Sequence, residues 1–211
     1  MVRYGKEHKQ ATRQRIIETA GRRFKQDGFD GSGVATLMAD AGLTNGAFYA
    51  HFESKDDLVA TVIAEQLASQ DAAVVGMAPG RAGVEEFIRE YLSVEHRDNP
   101  SEGCPSAALL DEIARSGDVA RQVYTDGMLA VIDDVSTRLN SRDPASVRAQ
   151  AFSVFALMVG TLQLSRTLAD RALADEVLEQ GLQNALALLG GEQQKPRSPK
   201  ARPARATARR P

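Results

Sequence analysis

The chain has no tryptophan, and only 5% of its 211 residues are aromatic. Its single cysteine, Cys104, excludes an intrachain disulfide framework and a multi-cysteine zinc site. No run of about 18 apolar residues occurs, and residues 1–14 are charged rather than apolar, so we expect no membrane span and no secretory signal. The sequence therefore predicts a cytoplasmic protein that carries no cofactor and no metal.

The residues that are abundant favour helices. Hydrophobic residues make up 43% of the chain, which is enough to fill a core. Alanine, leucine, valine, glutamate, aspartate and arginine dominate, and together they favour helix over sheet. We therefore predict an all-α fold of about nine helices.

Charge is distributed unevenly along the chain. Residues 1–25 carry eight Lys and Arg against two acids, whereas residues 59–194 carry ten Arg against twenty acids. This pattern predicts that residues 1–25 face a polyanion and that residues 59–194 do not. Residues 195–211 are again basic and contain four prolines, so this tail is expected to be disordered. It either adds nonspecific attraction to nucleic acid or is a solvated tail without a role.

The front of the chain predicts four helices. Apolar residues recur at helical spacing over 12–26, and Gly28 can adopt the left-handed conformation that ends this first helix. Ser32 is the predicted N-cap of a second helix over 34–41, which Gly42 ends. A third helix is predicted over 45–52 with Phe48 and Phe52 turned inward, and a fourth over 55–73 behind a capping sequence at Ser54.

The second and third of these helices have the spacing of a helix-turn-helix. Gly42-Leu43-Thr44 forms the tight turn, and small residues at the start of the third helix allow it to enter a major groove. On spacing alone, an ordinary three-helix core with a glycine cap explains the pattern equally well.

The residues at this turn resemble those of a known family. Gly28-Phe29, Leu37-Met38 and the continuous run from Ala41 to Leu58, with its Phe-Tyr-Ala-His-Phe-Glu-Ser-Lys segment, resemble the DNA-binding domain of the tetracycline-repressor-like (TetR) family. The resemblance covers roughly residues 10–60 and implies a helix-turn-helix DNA-binding domain over 1–58. It also implies a helical ligand-binding and dimerisation domain over 59–191, ahead of the basic tail at 192–211.

The resemblance implies a role for each matching residue. Thr44, Asn45, Gly46 and Ala47 fall at the exposed start of the recognition helix, where Asn45 is the best base reader because its amide can pair with adenine. Tyr49, His51 and Lys55 fall at positions that contact the DNA backbone, as does Ser32. Gly33 and Asn45 depart from the family's usual residues, so no operator sequence can be transferred.

The rest of the chain predicts a dimer with an effector pocket. Further helices are expected over 84–97, 105–115, 117–139, 145–168 and 171–189, and the last two are expected to form a four-helix bundle with their copies in a homodimer. Such a dimer would present its two heads to a palindromic operator in double-stranded DNA. A monomer with a buried central helix is the alternative. An apolar or aromatic small-molecule effector is predicted to contact nine residues, Phe87, Tyr91, Cys104, Leu109, Ile113, Tyr124, Met128, Phe155 and Met158.

Cys104 allows three interpretations. It precedes a helix that begins at Pro105, where the helix dipole favours a reactive thiolate, so an electrophile or oxidant sensor that releases DNA by covalent modification is one possibility. A small buried filler is the simpler interpretation. A thiol enzyme that uses Cys104 with His96 is the third, although no orienting acid or amide follows at a recognisable spacing. We therefore predict a transcriptional repressor rather than an enzyme.

Overall fold

The computed structural model describes residues 2–139 and 143–190, and within them the chain forms helices and no strand. The all-α prediction is therefore confirmed for the described part of the chain. The basic tail that we predicted at 192–211 lies outside it. In order, the helices are α1 (Val2–Gly31), α2 (Val34–Asp40), a 3₁₀ segment (Asn45–Ala50), α3 (Lys55–Gly76), α4 (Arg81–Tyr91), α5 (Val94–Asp98), a 3₁₀ turn (Pro100–Glu102), α6 (Pro105–Arg115), α7 (Asp118–Arg138), α8 (Pro144–Thr167) and α9 (Arg171–Gly190).

Most predicted helices are present, with three differences. α1 begins at Val2 rather than near Thr12, and the third predicted helix is a 3₁₀ segment. The helix predicted over 84–97 is divided into α4 and α5, because the Ser93 hydroxyl accepts a hydrogen bond from the His96 amide and starts a new helix. The capping residue predicted for α3 is confirmed, since Ser54 Oγ accepts from the Asp57 amide at 3.1 Å.

The core consists of two apolar clusters. We call α1, α2, the 3₁₀ segment and the first turn of α3 the head, and the remaining helices the body. The head cluster joins Ile16, Phe24, Leu37 and Phe48 to buried residues of α3 and α6. The body cluster joins residues of α4, α7, α8 and α9, where α8 packs along α9.

Two helices of the described ranges, α3 and α8, are long and apolar enough to cross a membrane by length and composition. Both supply many buried residues to the two clusters, and a buried core helix passes the same test. The residues that each helix buries in the core account for part of its apolar character.

Head and body also meet through polar contacts between α1 and the segment around α6. Lys25 Nζ donates to the Gly103 carbonyl at 2.8 Å, and the Phe29 amide donates to Glu112 Oε2 at 2.5 Å. Burial lowers the pKa of Lys25 from 10.5 to about 8, although the nearby Glu102 carboxylate opposes the shift. The folded protein therefore binds fewer protons than the unfolded chain between pH 8 and 10.5.

The lowered pKa of the half-buried Lys25 ammonium predicts a pH dependence of stability. Because the unfolded chain binds more protons in that window, the Lys25 contribution to the free energy of unfolding rises as the pH rises through it. Between pH 7.5 and 9.5 we expect the wild type to gain about 1 kcal/mol relative to Lys25→Met, after allowance for solvent screening. Urea unfolding of both proteins at the two pH values measures this gain, and parallel pH profiles would contradict it.

Candidate functional site

The turn between α2 and the 3₁₀ segment has the geometry that the helix-turn-helix prediction requires. Gly42 adopts a φ of 68°, which favours glycine, and its amide bonds the Ala39 carbonyl at 2.9 Å. The Leu43 amide bonds the Met38 carbonyl at 2.8 Å, which closes the end of α2. The chain can therefore reverse direction within two residues and begin the 3₁₀ segment at Asn45.

Two phenylalanines hold the 3₁₀ segment against the head cluster. Phe48 is 1% exposed and Phe52 is 2% exposed, and their ring centroids lie 5.6 Å apart. Arg13 from α1 covers the outer face of the Phe52 ring at 4.8 Å. The inward turn predicted for both phenylalanines is confirmed, and it leaves the opposite face of the segment to solvent.

The solvent face carries the predicted recognition residues. Thr44, Asn45 and Gly46 are exposed, and Ala47 is half-buried. A Cβ at Gly46 would meet no atom within 4 Å, so nothing in the described chain crowds this tip. Tyr49 is 71% exposed and rests edge-on against Phe48, with ring centroids 5.2 Å apart. The contact with Phe48 thus holds the Tyr49 ring at the surface of the head.

His51 and Lys55 follow the tip in the chain, at the end of the 3₁₀ segment and at the start of α3. Burial lowers the pKa of His51 below 6.5, and the cations Lys9 and Arg13 lower it further, so the ring is neutral at pH 7. Its Nδ1 is buried and has no hydrogen-bond partner in the described residues. Lys55 is the first residue of α3 and is half-buried.

The structure contradicts the prediction for Ser32. Gly33, not Ser32, is the N-cap of α2, and it supplies no side-chain cap. Ser32 is 0% exposed, and its Oγ has no hydrogen-bond partner in the part of the chain that the structure describes. The serine faces the head core because Phe29 and Leu37 on either side of it are both buried. We therefore exclude Ser32 from the proposed DNA contacts.

Some of the basic residues in residues 1–25 are engaged in contacts within the protein and are only partly exposed to solvent. Arg23 pairs with Asp27 and Asp40, and Lys25 is engaged with the Gly103 carbonyl. Among the side chains that the structure describes, the exposed Lys and Arg residues of α1 are Lys6, Lys9, Arg15 and Arg22. Sequence reasoning did not name Lys9 as a site residue, yet it lies close enough to His51 to affect its pKa. If α1 had been predicted to begin at Val2, Lys9 would have been placed on the same helix as Arg13.

The nine predicted effector contacts do not share one environment. Phe87, Tyr91, Cys104, Phe155 and Met158 belong to the body cluster, against which Met128 packs. Leu109 and Ile113 are instead buried in the head cluster, and Tyr124 packs beside them. Leu109 and Ile113 therefore stabilise the junction of head and body, and we no longer propose them as pocket walls.

Polar groups surround Cys104 inside the body. Its Sγ donates to Gln70 Oε1 at 3.0 Å, and Tyr124 Oη donates to Ser106 Oγ at 3.0 Å. Burial raises the pKa of Tyr91 well above 10.0, and the neighbouring Cys104 adds to this shift. Neither Tyr91 Oη nor Gln70 Nε2 has a hydrogen-bond partner in the described residues. We call Gln70, Tyr91, Cys104, Ser106 and Tyr124 the polar chamber.

His96 stands beside the chamber but is not paired with the thiol. Its Nε2 accepts from the Cys104 amide at 3.0 Å, and its Nδ1 lies 2.7 Å from the Tyr91 carbonyl. The second contact requires a proton on Nδ1, which leaves Nε2 as the acceptor. Because both ring nitrogens are bound to backbone groups, His96 is not positioned to take the thiol proton, as the thiol-enzyme interpretation would require.

A separate cleft of about 650 Å³ opens at the junction of head and body. It is lined by residues of α1, the start of α3 and the turn between α6 and α7, among them Phe29, Lys55, Glu112 and Val119. None of the nine predicted effector contacts lines this cleft.

The head matches known proteins in sequence. The profile described as "Bacterial regulatory proteins, tetR family" matches residues 16–62. The HTH-type transcriptional regulator AcrR of Shigella flexneri is 39% identical over 62 residues, which are 29% of each chain. The HTH-type transcriptional repressor AcnR of Corynebacterium diphtheriae is 33% identical over 85 residues, which are 40% of this chain and 42% of that protein. The matches thus span less than half the length of these relatives.

The fold of the whole chain matches solved structures. The reduced form of NemR from E. coli superposes with a TM-score of 0.70 at 21% identity, covering 83% of this chain and 95% of NemR. A TetR-family transcriptional regulator from Cytophaga hutchinsonii superposes with a TM-score of 0.65 at 24% identity, covering 85% and 95% of the two chains. The predicted arrangement of a helix-turn-helix domain and a larger helical domain is therefore confirmed. The profile match is thus confined to residues 16–62, and over the rest of the chain the likeness to solved regulators is one of fold.

Proposed function

We propose that this protein is a dimeric transcriptional repressor that binds a palindromic operator and is released from it by a small-molecule effector. The observation that carries the proposal is the exposed tip at Thr44–Ala47, which stands on the buried anchors Phe48 and Phe52. A short segment with one face buried in the protein and a polar, exposed N-terminus can enter a major groove as a recognition helix does. The match of residues 16–62 to a family of regulators supports this role and a cytoplasmic location, and it speaks against an enzyme.

The exposed residues divide into two groups by chemistry. Asn45 carries the one amide at the tip, and an amide can bond adenine at two atoms in the major groove. Tyr49, His51 and Lys55 present a hydroxyl, a neutral imidazole and an ammonium, which suit phosphate oxygens. We therefore assign base reading to Asn45 and backbone contact to the other three, with Lys9 as an added cation on α1.

The outer surface of α8 and α9 supports a homodimer. α8 exposes Ala149, Ser153, Ala156, Gly160 and Leu164 along one face. α9 presents Leu173, Val177, Gln180, Asn184 and Leu188 with the same helical spacing. Leu164 is 52% exposed, Leu173 44% and Leu188 42%, and exposed leucines that share the outer faces of two packed helices favour a contact with another subunit. A four-helix contact between two copies would bury both faces and hold two heads in one assembly.

The polar chamber is our candidate for the effector site. It lies among the apolar residues Phe87, Phe155 and Met158, so an aromatic or apolar ligand would find matching surface there. The unpartnered Tyr91 hydroxyl and Gln70 amide nitrogen would supply its polar contacts. Effector binding would weaken operator affinity by its preference for the released conformation.

A covalent switch at Cys104 is the second candidate, favoured by the position of the thiol at the start of α6 and within the chamber. N-ethylmaleimide separates the two candidates. If the switch is noncovalent, the operator complex survives the reagent in the wild type. If the switch is covalent, the reagent releases wild-type protein from DNA and leaves the Cys104→Ser complex intact.

The division of labour in the head predicts two kinds of variant. Asn45→Ala should lose roughly 1–3 kcal/mol of discrimination between operator and random DNA, because only base contacts carry sequence information. Tyr49→Ala and Lys55→Ala should weaken both complexes by similar factors. Fluorescence anisotropy on both duplexes measures this, and Arg89→Ala, which removes an exposed cation from the body, serves as the control. Equal losses on the two duplexes for Asn45→Ala would contradict the assignment.

The dimer proposal predicts the effect of a charge on the exposed face. Leu164→Arg should shift the sedimentation coefficient to that of a monomer and abolish preference for a palindrome, since a buried unpaired charge disrupts the contact. Val119→Arg, which changes a 71% exposed residue of α7 in the same way, should leave the dimer intact. A Leu164→Arg protein that remains dimeric would place the subunit contact elsewhere.

A further inference from the structure

The head is attached to the body by one continuous helix. α3 begins at Lys55 in the head, contributes Leu58, Ile63 and Leu67 to the head cluster, and ends with Val74 in the body cluster. A single helix fixes the distance between the two parts, but the orientation of the head around it depends on other contacts. Some of those contacts come from α6, and others come from the 3₁₀ turn at Pro100–Glu102 and from α7.

α6 holds the end of α1 in two ways. Leu109 and Ile113 pack into the head cluster, and such apolar contacts are not directional. Between them in the sequence, Glu112 Oε2 accepts a hydrogen bond from the Phe29 backbone amide at 2.5 Å. A hydrogen bond to a backbone donor is directional, because it weakens steeply when the donor and acceptor are misaligned. Because a backbone amide cannot move independently of its helix, this bond restrains the position of α1 itself.

The backbone at Gly28 is shaped to admit this carboxylate. Gly28 has φ 77° and ψ 172°, a conformation that is essentially restricted to glycine. A Cβ at this position would lie 2.2 Å from Glu112 Oε1. The sharp bend therefore ends the regular part of α1, exposes the Phe29 amide and leaves room for Glu112 to reach it.

We propose that Glu112 is a positioning residue for DNA recognition: through the Phe29 amide, it sets the orientation of the head on the body. This inference rests on the proposed function. In a dimer, two recognition segments must enter successive major grooves about 34–36 Å apart, so a change in the tilt of either head alters both placements. Binding to random DNA depends mainly on phosphate charge and tolerates such a change.

Lys25 makes the other polar contact between α1 and this region, but it is less suited to orient the head. Its ammonium reaches the Gly103 carbonyl through a long, flexible side chain. The Glu112 bond instead ends on the main chain of the head. Loss of the Glu112 acceptor should therefore change recognition of the palindrome more than it changes general affinity for DNA.

The test compares four variants of the full-length chain. Glu112→Ala removes the acceptor, and Glu112→Asp withdraws it while keeping the charge. Glu112→Gln removes the charge and keeps an acceptor oxygen that can reach the amide. Asp111→Ala removes the neighbouring exposed carboxylate of α6 and is the matched control. The DNA is a palindrome selected by the wild type from random duplexes, together with a scrambled duplex of equal length.

We expect Glu112→Ala and Glu112→Asp to bind the palindrome about tenfold more weakly, which corresponds to about 1.4 kcal/mol, with the scrambled duplex changed by less than about twofold. Glu112→Gln and Asp111→Ala should match the wild type on both duplexes. Hydrogen exchange at the Phe29 amide should accelerate in the first pair of variants only. Since Glu112→Asp keeps the charge and removes only one methylene, it tests the proposal even if Glu112→Ala does not fold.

The possible failures are distinguishable. If the wild type selects no palindrome, the proposed function is wrong. If it does, and Glu112→Asp matches the wild type or loses affinity equally for both duplexes, Glu112 does not orient the head. If Glu112→Gln behaves like Glu112→Asp, the charge of Glu112 matters rather than its hydrogen bond, and the proposal is overturned.

Discussion

The burial of Phe48 and Phe52 is the interaction on which the reading surface depends. A 3₁₀ segment of six residues has little stability of its own, because few of its backbone hydrogen bonds are internal and their geometry is poor. Two aromatic side chains on one face anchor it to α1, α2 and α3, and burying a ring of this size stabilises a fold by about 1.5–3 kcal/mol. The residues between and beyond these anchors are thereby held outward without needing contacts of their own.

The position of this reading surface is determined by the body, because the two clusters share helices. α3 is common to both, and α6 has Cys104 and Ala107 at one end in the body cluster and Leu109 and Ile113 in the head cluster. A displacement of α6 at the polar chamber therefore cannot be confined to the body without breaking contacts in the head. This shared helix is a physical basis for coupling between an effector and DNA in our proposal.

Much of the head could be predicted from the sequence because its signals are local. The turn residue Gly42, the inward Phe48 and Phe52 and the Ser54 cap each act within a few residues, and the structure confirms them. Ser32 was misassigned because a serine before a helix has the same local pattern whether it caps the helix or packs inward. Its burial depends on contacts that are distant in sequence.

The body was harder to predict for the same reason. Its helices could be located from proline, glycine and apolar spacing, but not the cluster into which each side chain packs. Leu109 and Ile113 have the same pattern as pocket walls, yet they pack against the head because α6 crosses α1. The Glu112 bond to Phe29 joins residues 83 positions apart and has no local signal.

Selection of bound sequences from a pool of random duplexes tests the central claim most directly. The account predicts enrichment of one inverted repeat whose half-sites lie one helical turn or a multiple of it apart, with affinity that falls steeply as salt is raised. A pool that yields no enriched sequence, or only a motif without two-fold symmetry, would contradict the claim that paired heads read a palindrome.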